Sequence, residues 1–169
     1  MGIRVCEEKK IFSISTPNTT YLMGVSGENL LGHMYYGKRM EDMDGYYLLR
    51  SGDSPEEKHN HLRDKVGYLD SFSFEYPVWG TGDFRDPCLR VRDENGYRAC
   101  ELHYEAYEIL EGKPALSGMP STFAGKEEGQ GARTLIITLR DEVLGLKVLL
   151  RYSICLLYTS DAADEEDSV

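Results

Sequence analysis

The sequence predicts an all-β protein, a single domain built of antiparallel strands. Three observations carry this expectation. From Lys10 onward apolar and polar residues alternate with period 2 rather than 3.6, β-branched and aromatic side chains crowd the alternating runs, and Gly, Asn, Asp or Pro fall between them. With 169 residues the chain can bury the core of one domain and is too short to add a TIM barrel of roughly 250 residues.

The elements follow in order. KIFSIS (residues 10–15) and TTYLMGV (19–25) read as strands joined across Pro17 and Asn18, and NLLGHMYYG (29–37) follows a Gly27-Glu28 turn, which makes a meander. Residues 38–70 are charged, contain Ser and Gly and show little periodicity, with SGDSPEEKHNHLRDK at their centre. This is a long loop, and long ordered loops in compact domains are usually functional or interfacial. CLRVRD (88–93) and RACELHYEAYEIL (98–110) flank Asn95-Gly96, the strongest short hairpin signal, and Leu102, Tyr104, Ala106 and Tyr107 alternate with charge as on a strand with one wet face. GKPALSGMPSTFAGKEEGQG then leads to RTLIITLRD (133–141) and LGLKVLLRYSI (144–154), a second hairpin turning at Gly145. Its core is expected near Leu135, Ile137, Leu139, Leu146, Val148 and Leu150.

Residues 155–169, CLLYTSDAADEEDSV, break this pattern. CLLYTSDAADE resembles the conceptual translation of a sequencing adapter, so the domain is expected to occupy residues 1–154, with 155–169 a non-native or disordered acidic tail. Five of the 29 acidic residues lie in the last nine positions, so the net charge of −10 belongs in good part to that tail.

Composition excludes several functions. An acidic chain without a Lys/Arg run is not expected to neutralise nucleic-acid phosphates. MGIRVCEEKKIFSIS has no signal-peptide core, and no segment approaches the roughly 20 apolar residues of a membrane span, which predicts a cytoplasmic protein away from membranes. Cys6, Cys88, Cys100 and Cys155 stand singly and are expected to be reduced thiols rather than zinc ligands. No Walker loop, Gly-x-Gly-x-x-Gly, serine elbow or Cys-x-x-Cys occurs, and no cofactor is expected. His59 and His61 share one side of an extended segment, but in so hydrophilic a loop the expectation is solvated side chains and no metal. In GTGDFRDP, Asp83 and Asp86 flank Arg85; a glycosidase acid and base pair is one reading, and an Arg–carboxylate structural clamp is the expected one. His33, His103 and Trp79 lack a partner nearby in sequence and are expected to be packed or interfacial.

Four segments together go further: NTTYLMGV, LLGHMYYGKRM, FEYPVWGTGDFRDPCLRVRDENG, and the stretch from YEAYEILEGKPALSG to LGLKVLLRYSI. Across residues 8–154 the chain resembles the amino-terminal domain of family 36 glycoside hydrolases, the bacterial α-galactosidases. The resemblance implies a large antiparallel β-sandwich of the supersandwich kind, here incomplete at its carboxyl end, that precedes a (β/α)8 barrel and a carboxy-terminal β domain, the barrel carrying the two aspartates of a retaining mechanism that removes terminal α-galactose from raffinose-type sugars. Nothing here corresponds to those aspartates, so no catalytic residue is assigned and the chain alone is expected to be inactive. The implied partners are the missing barrel, further copies in a homo-oligomer, and α-galactosides through the parent enzyme. In tetrameric relatives the loop before the EYP segment helps to complete a neighbouring subunit's active site. The matching loop is residues 46–65, where Asp53, Arg63 and Lys65 are the candidate sugar contacts. The alternative is a free-standing carbohydrate-binding module that stacks sugar on Trp79, Tyr35 or Tyr97; a flat aromatic row on one sheet face would favour it.

Overall fold

Every residue of IFSIS is buried, although the segment alternates apolar and hydroxyl side chains. A strand buried along its whole length needs cover on both faces, and the fold supplies it. The structure is a computed structural model that describes residues 2–49, 69, 72–80, 85–115, 118 and 131–154, together with the backbone of 164–168. Strands β1 (Gly2–Cys6), β2 (Ile11–Ser15), β3 (Thr19–Val25) and β4 (Leu31–Lys38) form an antiparallel sheet in sequence order, the meander expected from the turns. A 3-10 turn, Tyr46–Leu49, follows. Strands β5 (His103–Glu111), β6 (Arg133–Asp141), β7 (Leu146–Ile154) and β8 (Asp164–Ser168) form a second antiparallel sheet, again in sequence order.

The main core lies between the sheets. Ile3, Phe12, Ile14, Met23, Val25 and Leu31 of the first meet Leu135, Ile137, Leu139, Val148, Leu150, Tyr152 and Ile154 of the second. Burying side chains of this size stabilises by about 1.5–3 kcal/mol each. The opposite face of the first sheet presents Ile11, Leu22 and Met34, and these pack under Leu49 and Phe72 in a second, smaller core. Gly32 lies beneath that cover: a Cβ there would sit 2.7 Å from both Leu49 and Phe72. The first sheet is therefore a middle layer, which accounts for the burial of β2.

The second hairpin has the residues expected of it, β6 pairing β7 from Arg133↔Ile154 to Asp141↔Leu146, with Gly145 at positive φ in the turn. Of its predicted core only Leu146 is partly rather than fully buried. The backbone of Asp164–Ser168 lies antiparallel along β7.

Two features differ from expectation. β1 lies ahead of the first predicted strand; GIRVC buries Ile3 against the other sheet and turns Arg4 to solvent. The Asn95-Gly96 turn forms, closed by Asp93 N–H donating to the Tyr97 carbonyl at 2.9 Å, but its arms do not pair as a ladder. They pair instead with the segment 77–79. Cys88 N–H donates to the Pro77 carbonyl, Val78 bridges Leu89, and Cys100 N–H donates to the Trp79 carbonyl, both hydrogen bonds being 2.8 Å. The EYPVW backbone lies between the two arms, so the regular strand begins only at His103.

Candidate functional site

The loop singled out in the sequence starts from a fixed base. Leu49, at the end of the 3-10 turn, is 4% exposed in the second core, while Tyr47 beside it is 66% exposed. Asp53, Arg63 and Lys65, the candidate sugar contacts, and His59 and His61 lie outside the described residues.

The FEYPVW segment organises what is described beyond that base. His33 N–H donates to the Ser73 carbonyl at 2.7 Å and Glu75 N–H to the Leu31 carbonyl at 3.1 Å, so residues 73–75 extend the first sheet alongside β4. Phe74 packs against the second core, Tyr76 and Val78 lie in the main core, and Glu75 reaches between the sheets. The Glu75 side chain is 6% exposed. One of its oxygens accepts from Tyr21 Oη on β3 at 2.6 Å and from Tyr152 Oη on β7 at 2.7 Å; the other lies 3.3 Å from His33 Nδ1 on β4. Burial, reinforced by the adjoining carboxylate, pushes the Tyr21 phenol far above its ordinary pKa. The cluster joins three strands of two sheets through one carboxylate. Its carboxylate is spent on these groups, and so it fastens the two sheets.

A second carboxylate works similarly at the far end of β6. Asp141, 4% exposed, accepts from the backbone N–H groups of Val143 and Leu144 in the β6–β7 turn, both at 2.9 Å, and from Glu101 N–H at 2.7 Å. Burial works to raise its pKa, but the amides of Glu101 and Leu144, the Cys100 thiol and the Val143 amide reverse the direction and leave it below the ordinary value. Burial, then the charge of Asp141, pushes Cys100 up to about 12, so its thiol is inert. These groups border a cleft of about 550 Å³ with His103, whose Nε2 lies 3.1 Å from Glu101. No group of three or more metal-ligating side chains occurs among the described residues.

The concave surface with the most unusual chemistry begins at Trp79, where the buried segment emerges. Trp79 is 44% exposed. With Arg85, Asp86, Arg90, Arg92 and Arg98 it lines a groove of about 800 Å³. Gly80 fixes this geometry: its φ is +122° and a Cβ there would come within 2.6 Å of the Ala99 backbone, so only glycine lets the two segments cross. Part of the clamp expected around Arg85 is described. Arg85 donates to the Phe72 carbonyl at 2.6 Å and lies over the Phe74 ring, whereas Asp86 pairs with Arg90 at 3.0 Å. Asp83 lies outside the described residues. Sequence reading missed Glu75, Asp141 and the grouping of Arg90, Arg92 and Arg98; the Arg-x-Arg alternation ahead of Asn95-Gly96 was the signal for the last. The aromatic row that would mark a carbohydrate module is not made by Trp79, Tyr35 and Tyr97. Tyr35 sits on β4 against the second core, and the other two lie on the irregular segments 79–80 and 97–102.

Comparison with known proteins gives a consistent result. Residues 29–158 match the family model described as the glycosyl hydrolase family 36 N-terminal domain. The α-galactosidase AgaA of Geobacillus stearothermophilus is 33% identical over 153 residues, which are 90% of this chain and 21% of AgaA. The bifunctional α-galactosidase/sucrose kinase AgaSK of Mediterraneibacter gnavus is 36% identical, over 91% of this chain and 16% of its own length. Among solved structures, the α-galactosidase AgaB of Geobacillus stearothermophilus superposes with a TM-score of 0.81 at 32% identity, covering 99% of this chain and 22% of AgaB. An AgaA variant in complex with raffinose gives 0.79 at 32% identity, covering 94% of this chain and 22% of its own. The chain thus spans about a fifth of the length of the relatives it matches. With the sandwich, the EYP segment and the family model in agreement, the chain belongs to the N-terminal domain family of glycoside hydrolase family 36.

Proposed function

We propose that this chain is the amino-terminal scaffold and assembly domain of an α-galactosidase, a cytoplasmic enzyme that removes terminal α-galactose from raffinose-type sugars with retention, and that its catalytic barrel lies outside this chain. The observation that carries the reading is the pattern of coverage: the relatives are α-galactosidases, and they match over nine tenths of this chain but about a fifth of themselves. The described side chains support it, because the oxygens of the buried carboxylates Glu75 and Asp141 are each occupied with fastening strands and turns. In this reading the loop of residues 46–65, launched from the anchored Leu49, reaches the active site of a neighbouring subunit in a homo-oligomer, where Asp53, Arg63 and Lys65 contact the sugar.

The test is a chimera. Residues 8–154 replace the matching segment of AgaA, and release of galactose from raffinose is measured beside the chain alone. The expected outcome is an active chimera and an inactive isolated chain. Galactose release by the isolated chain, or a folded chimera with no activity, would overturn the proposal. In the active chimera, Asp53→Ala, Arg63→Ala or Lys65→Ala is expected to raise KM severalfold.

A further inference from the structure

The groove at Trp79 concentrates positive charge on an acidic protein. The chain carries 29 acidic and 19 basic residues, yet among the described residues four arginines and a single carboxylate line this one surface. That carboxylate, Asp86, is engaged by Arg90 in an exposed pair. Asp93, next to Arg92 in sequence, is committed to the turn: its Oδ1 accepts Tyr97 N–H at 2.7 Å. Arg92 and Arg98 make no hydrogen bond or ion pair with any described residue.

The turn brings these two arginines to one end of the groove. Because Asp93 N–H bonds the Tyr97 carbonyl, Arg92 and Arg98 occupy facing positions at the neck of the Asn95-Gly96 turn, and both line the groove. Like charges placed so repel weakly in water, and an anion between them would turn that repulsion into attraction. Guanidinium forks match the oxygens of a carboxylate or phosphate in two-pronged fashion. Beside them the half-exposed indole offers the flat apolar surface on which the C–H face of a sugar ring rests. A groove of about 800 Å³ is of the size that holds a small ligand.

We propose that this groove binds a sugar that carries an anionic group, a hexuronate or a hexose phosphate, with the oxyanion between Arg92 and Arg98 and the ring against Trp79. The inference is independent of the parent enzyme's activity. It differs from an aromatic sugar platform in that charge, not stacking alone, selects the ligand.

Trp79 is the only tryptophan of the chain, so fluorescence excited at the red edge, where tyrosine does not absorb, reports on this groove. The 169-residue chain is titrated at low salt with galactose 6-phosphate, galacturonate, galactose and inorganic phosphate. Saturable fluorescence changes are expected with the first two, at affinities at least tenfold above those for galactose and for inorganic phosphate, and weakening as salt rises. The double variant Arg92→Gln/Arg98→Gln, whose side chains are exposed and whose fold is checked by urea unfolding, is expected to lose at least tenfold in affinity for both. Trp79→Phe, followed calorimetrically, should bind more weakly than the parent chain. The proposal is overturned if neither anionic sugar binds, if galactose or inorganic phosphate binds equally well, or if the double variant binds unchanged.

Discussion

Glu75 and Trp79 are four residues apart on one extended segment, and the surroundings they organise could hardly differ more. Around Glu75 a buried carboxylate meets two tyrosine hydroxyls and an imidazole within 3.3 Å, each from a strand of the surrounding sheets. Around Trp79 several guanidinium groups gather in the open with one acid among them. Polar groups out of water must find partners, because each one left unmade is expensive; polar groups at a surface can be left for a ligand. The difference separates what holds this domain together from what it can offer.

That contrast can be broken most directly at Glu75. Glu75→Ala removes the acceptor that the Tyr21 and Tyr152 hydroxyls and the His33 imidazole share, and the free energy of unfolding is expected to fall by about 3 kcal/mol or more. Glu75→Gln keeps an oxygen that can accept from both tyrosines and should lose clearly less. Urea unfolding of the two variants decides; equal losses would mean that packing rather than hydrogen bonding matters there.

The second buried carboxylate gives a pH signature. Asp141 has its folded pKa lowered by the amides around it, so its contribution is present above the unfolded value of about 3.9 and is lost as pH falls through that value toward the folded one. Asp141→Asn should therefore be less stable than the parent chain at neutral pH by about 1–2 kcal/mol, with the gap narrowing below about pH 4. A gap that stays constant from pH 7 to pH 3 would show that ionisation plays no part.

Tyr21→Phe and Tyr152→Phe are smaller changes, about 1 kcal/mol each. Both hydroxyls donate to the same oxygen of Glu75, so the double variant should depart from the sum of the single ones, a coupling that a double-mutant cycle measures. Strict additivity would mean that the two hydroxyls do not share the carboxylate.

How much of this was legible depended on distance along the chain. The β6–β7 hairpin was read with its boundaries because its signal is local: alternation over nine residues on each side of a turn containing Gly145. The first meander was legible for the same reason. The arms around Asn95-Gly96 misled because a hairpin signal says nothing of a third segment that competes for the same backbone groups, as residues 77–79 do here. The Glu75 cluster was invisible because its partners stand 54, 42 and 77 residues away. In FEYP the glutamate looks like any other acid, and only the added strand beside β4 reveals that it points inward. The family resemblance located the segment without disclosing what it does. The candidate sugar contacts Asp53, Arg63 and Lys65 came from resemblance alone and stand outside the described residues.

The smallest expected effect is the one that sharpens the comparison most. Arg92 and Arg98 are exposed, make no bond to any described residue and face one another across a turn whose backbone is closed by Asp93. Removing one of them takes away repulsion without breaking a hydrogen bond, so Arg92→Gln should leave stability within about 0.5 kcal/mol of the parent chain, and shift it toward greater stability at low salt. Raising the salt should erase that gain, because screening weakens the repulsion in the parent chain. A loss of 1 kcal/mol or more, about twice what such a surface change usually causes, would mean that Arg92 helps to hold the turn and that the groove, like the Glu75 cluster, serves the fold.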